Sequence, residues 1–228
     1  MKKLLSIVLL ILMVPLSVSC GNTSTKIPAD NVVNYPTRDI DNFIDNDNET
    51  GMTYKFTLDK FTTEFNTMYS QLGGDYKDFP YKNWSKRARE KQSNGKFYNY
   101  LYLTSKYVVL TATEEAETRR LVNVGCGITE KKLKSNKKIK NKVMTICGVM
   151  AAAAGGYNID SVKFFGNLFN DTISFKDHSL WYEDSIYVYD KETASDGTET
   201  ILFRTMPALL NIKDDWKLQD YREYKNEK

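Results

Sequence analysis

Apolar positions recur along this chain with two periods, and the switches between them divide it into blocks. Leu58, Phe61, Phe65, Met68 and Leu72 are spaced by three and four, which predicts a helix capped by Thr57 and ended by Gly73-Gly74. From Trp84 to about Thr129 the pattern is that of strands. Lys96–Leu103, Tyr107–Thr113 and Arg120–Cys126 are rich in β-branched and aromatic residues, with Ser93-Asn94-Gly95 as a turn. A second helix is expected from near Asn136 to Ala154, closed by Gly155-Gly156. Its apolar run, Val143 to Ala154, is about a dozen residues, a length that suits a buried core helix and not a membrane span. Asp160 then caps a short helix bearing Val162, Phe164, Phe165 and Leu168. Strands are expected again at Thr172–Phe175, Leu180–Asp190 and Thr198–Met206, the last two joined through Asp196-Gly197.

Helix then strands, followed by helices then strands, predicts an α+β fold with antiparallel sheet packed against helices. The repeated order suggests two halves, 53–129 and 136–206, joined as a pseudo-dimer or through a continuous sheet, within one globular domain spanning 53–212. The charged tail, 213–228, reads as a frayed helix or as disorder. The arrangement resembles small bacterial lipoproteins with TBP-like or cystatin-like α+β domains.

The N-terminus supplies an address. Met1-Lys2-Lys3 is a positive start, Leu4 to Leu16 is apolar apart from Ser6 and Pro15, and Ser17-Val18-Ser19 leads into Cys20. That run is too short for a spanning helix and suits a secretory signal peptide, residues 1–19. Leu16-Ser17-Val18-Ser19-Cys20-Gly21 resembles the lipobox of bacterial lipoproteins, although the family's usual leucine stands one place later than Leu16. The resemblance implies cleavage before Cys20, a diacylglycerol on its thiol, and an extracytoplasmic protein held on a membrane of the bacterial envelope. Two or three acyl chains together hold a protein firmly where one does not. Residues 21–52, rich in Asn, Asp and Thr without apolar periodicity, read as a flexible acidic tether.

Charge then narrows the partners. The chain carries 32 basic and 29 acidic residues; losing Lys2 and Lys3 with the signal peptide leaves 30 against 29, close to neutral. Nucleic-acid binding driven by overall charge is therefore not expected. The one strong run is Lys131, Lys132, Lys134, Lys137, Lys138, Lys140 and Lys142, a candidate contact for anionic headgroups or wall polymers, or else a solvated first helical turn.

Chemistry-bearing residues are few. His178 is the only histidine, which excludes His-rich zinc sites and HExxH chemistry, and no GxSxG, P-loop, GxGxxG or CxxC is present. No metal or cofactor is expected. Cys126 or Cys147 with His178 as base is the remaining nucleophile arrangement, against His178 as a plain loop residue beside Trp181. Cys147 reads as core filling, and outside the cytoplasm Cys126 and Cys147 are a candidate disulfide. Glu114, Glu115 and Glu117 read as solvated charges at a turn. Tyr98, Tyr100 and Tyr102 alternate on one strand, and Tyr187 and Tyr189 on another, each a candidate face for glycan or extended peptide. These observations favour a non-enzymatic, lipid-anchored domain that binds an envelope protein or wall polymer. The alternatives are a small-ligand or glycan binder using the tyrosine faces and an enzyme of unrecognised type.

Overall fold

The computed structural model describes residues 35–38, the backbone of 44–45, and residues 53–80, 83–208, 213 and 215–228. Cys20, the signal peptide and most of the predicted tether lie outside the described residues. Two short strands, β1 (Ile44–Asp45) and β2 (Thr53–Tyr54), pair with each other. Helix α1 (Leu58–Gln71) follows, with Thr57 Oγ1 accepting from the Lys60 N–H at 3.4 Å. It turns its apolar stripe, Leu58, Phe61, Phe65 and Met68, inward. Four strands then form a meander: β3 (Ser85–Lys91), β4 (Phe97–Thr104), β5 (Val109–Glu115) and β6 (Leu121–Thr129). A short helix α2 (Glu130–Leu133) leads to α3 (Lys137–Gly155), where Asn136 Oδ1 accepts from the Ile139 N–H at 2.8 Å and Gly156 closes the helix at φ +71°.

Helix α4 (Val162–Ser174) absorbs a segment expected to be a strand. Leu168, Phe169 and Thr172 continue the inward stripe of α4, and Thr172 Oγ1 donates to the Phe169 carbonyl at 2.7 Å, so tertiary packing overrides the β propensity of Thr172 and Ile173. Asp160 is not the cap; it sits in a 3₁₀ turn, Ile159–Ser161, ahead of the helix. The predicted strand at Leu180–Asp190 is two strands, β7 (Ser179–Tyr182) and β8 (Ser185–Thr193), folded at Glu183-Asp184 with Glu183 at φ +56°. Strand β9 (Glu199–Pro207) and helix α5 (Tyr221–Asn226) complete the chain.

The seven strands from β3 onward make one antiparallel sheet in the order β3-β4-β5-β6-β9-β8-β7. The two meanders therefore meet through their last strands, with Cys126 opposite Phe203 and Gly125 opposite Arg204, as one continuous sheet. Side-chain alternation separates its faces. Leu103, Leu110, Ala112, Val124, Cys126, Ile128, Ile201, Phe203 and Tyr187 share one face and are buried against α3 and α4. Helices α3 and α4 approach closely because of glycine: a Cβ on Gly148 would lie 2.2 Å from the Val162 carbonyl oxygen, and one on Gly166 2.9 Å from that of Met144.

Two terminal stretches are seated where the sequence pattern indicated loose chain. Within the predicted tether, Tyr35 stacks on Tyr182 at 6.2 Å, Tyr182 donates to the Pro36 carbonyl, and Arg38 is buried between Asp184 and the Gly155 carbonyl, 4.8 Å over the Tyr157 ring. Residues 35–38 are thus a strap on the domain, and the flexible-tether reading does not extend to them. In the charged tail, Asp220 caps α5, Tyr221 donates to Asp171 Oδ2 at 2.8 Å, and Tyr221 and Tyr224 pack against Phe164 and Phe175. The charges lie between aromatic positions that reach the core, so this part is neither frayed nor disordered.

Candidate binding face

The second face of the sheet is the one turned away from α3 and α4. One cross-strand row on it runs Tyr102, Thr111, Gly125, Arg204 and Val188 across β4, β5, β6, β9 and β8. Beside it lie Val109, Gly127, Leu202 and Asp190. The two glycines make a low floor, and at Gly125 the room is taken: a Cβ there would meet Thr111 Oγ1 at 2.5 Å and the Arg204 stem at 3.1 Å. Arg204 in turn forms an ion pair with Asp190. The far end of this face is closed by Trp181, Ile186, Ala208 and Leu218, a separate small apolar cluster.

A β-bulge adds an arginine. The β3–β4 register shifts between Lys86 and Ala88, leaving Arg87 as the extra residue. Bulges re-aim side chains, and Arg87 comes within electrostatic range of Glu90, of Tyr102 and of Glu192 on β8. Strands β3 and β8 are five places apart in the sheet, so the Arg87 and Glu192 side chains reach toward each other across the face from its two halves. Burial lowers the Arg87 pKa from its ordinary value, with Glu90 and Glu192 opposing. Burial likewise raises the Glu192 carboxyl, helped by the neighbouring Asp190 charge. Arg87 Nη1, Arg204 Nε and Thr200 Oγ1 are buried with no hydrogen-bond partner. The face therefore holds two cations, two carboxylates and spare hydrogen-bonding capacity on three strands.

The predicted tyrosines divide between the two faces. Tyr98, Tyr100 and Tyr102 alternate onto this open face; the Tyr98 hydroxyl accepts from Asn94 and that of Tyr100 from Gln92, both at 2.7 Å. Tyr187 is covered by α4, with its ring 5.5 Å from both Phe165 and Phe169, and Tyr189 packs on Phe203 at 5.7 Å. Odd positions of β8 face the helices, so neither tyrosine presents a ligand face. Glu114 and Glu115 are not solvated turn residues: both end β5 and are buried. Glu114 accepts from Asn99 Nδ2 and pairs with Arg119, both at 2.9 Å. Burial alone would raise the Glu115 carboxyl, but bonds from Lys96 and Thr118 outweigh it and hold the group below its ordinary value.

The lysine run is partly spent. Lys134 pairs with Glu130, Lys132 donates to the Lys106 carbonyl, and Lys142 lies over the Tyr69 and Tyr107 rings at 4.6 and 5.8 Å. Among the described residues, Lys131, Lys137, Lys138 and Lys140 form no ion pair. His178 is occupied by the Thr172 carbonyl at 3.1 Å and by the Tyr189 ring at 5.0 Å. Cys126 and Cys147 are both free and fully buried, Cys126 on the helix side of β6 and Cys147 within α3. Among the described residues no group of three or more His, Cys, Asp or Glu is arranged to hold a metal ion, and no helix is long and apolar enough to cross a membrane.

No protein-family model, no curated protein and no solved structure matches this chain. Function therefore rests on the face itself. Sequence pattern found its tyrosines by their alternation but missed Arg87, Asp190, Glu192 and Arg204. Charged residues in a strand give no sign of which side chains the strand order will place on one face.

Proposed function

We propose that this chain is a lipid-anchored binding protein of the bacterial envelope, without catalytic chemistry, whose open sheet face holds a hydroxyl-rich ligand such as a wall glycan. Support for the anchor is the lipobox-like run ending at Cys20. One observation carries the ligand reading: Arg87, the extra residue of the β3 bulge, holds a buried, unpartnered N–H within electrostatic range of Tyr102 and Glu192, with the Thr200 hydroxyl likewise buried and unpartnered. Sugars are bound by this combination, in which planar donors and carboxylates meet hydroxyls and tyrosine rings cover the apolar sugar face. A protein partner added to a sheet edge is disfavoured. Edge strand β3 reads Ser-Lys-Arg-Ala-Arg-Glu-Lys, a charge density that repels strand addition, and Trp181 on β7 already donates its N–H to the Gln219 carbonyl at 2.9 Å.

A chain beginning at Gly21 keeps every described residue and serves for the test. Mixed with insoluble, protein-free wall glycan, it is expected to sediment with the polymer. Arg87→Ala and Tyr102→Ala are expected to stay in the supernatant with unchanged circular dichroism. A wild-type chain that does not sediment, or variants that sediment like it, would overturn the reading.

A further inference from the structure

We propose that the lysine-rich end of the domain is a second contact surface, which takes a phosphate-bearing anionic polymer of the wall. This surface is separate from the sheet face, and only its outward direction rests on the anchor proposed above. Three segments bring the lysines to one end. Lys131, Lys132 and Lys134 lie on α2 and its C-cap, and Lys137, Lys138, Lys140 and Lys142 on α3. The Lys132 ammonium donates to the Lys106 carbonyl, in the turn between β4 and β5, at 2.6 Å. Lys106, Lys131, Lys134, Lys137 and Lys138 are all exposed. Between Ile128 and Val143 the one acidic residue is Glu130, which Lys134 and Lys191 already share at 2.7 and 3.3 Å.

Charge is therefore segregated along the domain. The seven lysines of the run, taken from the 30 basic residues left after signal cleavage, leave 23 against 29 acidic residues. A nearly neutral chain thus has one strongly positive end on a body with excess negative charge. Helix stability does not call for this arrangement. Helix α3 carries lysine at its first, second and fourth positions and no acidic residue in its first turn, although that end of a helix favours anions and repels cations. A local rule broken without an internal gain marks a functional surface.

The residue type narrows the partner. An ammonium is a point charge on a flexible stem, whereas the arginine fork matches the plane of a carboxylate. Seven lysines without an arginine suit a repeating phosphodiester, whose charges follow no fixed plane. Direction separates that polymer from the bilayer. Arg38 donates to the Gly155 carbonyl, so the strap enters at the C-terminal end of α3, about 27 Å along the helix from Lys137. With the proposed anchor at Cys20, the membrane side is the strap end and the lysines stand at the other.

The chain from Gly21 is mixed with three probes: protein-free wall that keeps its phosphate polymer, the same wall stripped of it by hydrofluoric acid, and phosphatidylglycerol vesicles at equal phosphate. Tighter sedimentation is expected on polymer-bearing than on stripped wall, a gain that vanishes in about 0.5 M salt, where charges are screened within about 4 Å. Replacing Lys131, Lys137, Lys138 and Lys140 by Gln is expected to remove the gain, a loss of at least about tenfold, which is a small part of what four lysines supply against an anionic surface. This variant should melt no lower than wild type, because the helix dipole is relieved. A control with exposed Lys60, Lys91, Lys163 and Lys217 replaced by Gln has the same net charge and should keep the gain. Equal affinity for both walls, loss of the gain in the control, or tighter binding to vesicles than to polymer-bearing wall would overturn the proposal. A gain on polymer-bearing wall without binding to stripped wall supports the lysine end and overturns only the sheet-face reading.

Discussion

Replacing Arg38 by methionine is expected to destabilise the protein by about 3–5 kcal/mol, because it removes one partner of a buried ion pair and leaves the other uncompensated. The Arg38 and Asp184 side chains are 2% and 4% exposed, so the Asp184 carboxylate would remain out of water without its cation. The Gly155 carbonyl at the end of α3 loses its donor, and the Tyr157 ring loses the guanidinium above it. These losses overlap and do not add. Urea unfolding of the chain from Gly21, with a slope of about 2 kcal/mol/M, would then show a midpoint lowered by about 1.5–2.5 M. The double variant, Arg38→Met with Asp184→Leu, removes both charges and is expected to recover most of the loss. A chain that begins at residue 39 should be as weak as Arg38→Met, whereas one that begins at Tyr35 should match the wild type. A midpoint shift below about 0.5 M, or a double variant no better than the single, would refute the seated strap.

Gly148→Ala is expected to cost at least about 1–3 kcal/mol, since its Cβ would press on the Val162 backbone carbonyl rather than on a side chain able to turn aside; a thermal midpoint equal to wild type would contradict the close crossing of α3 and α4. Glu192 gives a pH dependence. Its folded carboxyl is raised above the ordinary 4.5, so the folded state holds the proton more tightly than the unfolded, and stability falls as pH rises from 4.5 through the raised value. Glu192→Gln should remove that part of the slope in thermal melts taken across the range, and identical slopes in both proteins would exclude the buried carboxyl.

Where local sequence governs, it could be read. Thr57, Asn136, Gly73 and Gly156 mark the ends of α1 and α3 because caps and left-handed turns act within a few residues. The α+β class followed from the order of periods, and so did the antiparallel sheet. Strand β3 lies inside the block read as strands from Trp84, but its bounds are not legible, because Ser85–Lys91 carries five charges in seven residues, a pattern typical of solvated chain and also of an edge strand shielded from pairing. The Thr172–Phe175 segment misled for the opposite reason, its β-branched residues being held in a helix by aromatic contacts from distant strands. The candidate face was legible only in its tyrosines. Its arginines and carboxylates are placed on one face by a bulge and by the pairing of strands distant in sequence, neither of which leaves a local signature.

The strap also sets how far an anchored domain can stand from its membrane. From Cys20 to Tyr35 is 15 residues (35 − 20), which span at most about 50 Å however they are arranged. Counted to Thr53, where the pattern first shows a folded domain, the span is 33 residues and about 115 Å. With the proposed anchor at Cys20, seating Tyr35–Arg38 would cut the reach by more than half and confine the open face to ligands near the bilayer. Two insertions of the same Gly-Ser segment separate the cases. Placed after Ser24 it lies on the membrane side of the strap, and neutron reflectometry of lipidated protein on a supported bilayer should show the protein layer standing farther out. Placed after Asp39 it falls between the strap and β1, and the layer height should not change. Equal movement by both insertions would mean that the strap does not hold.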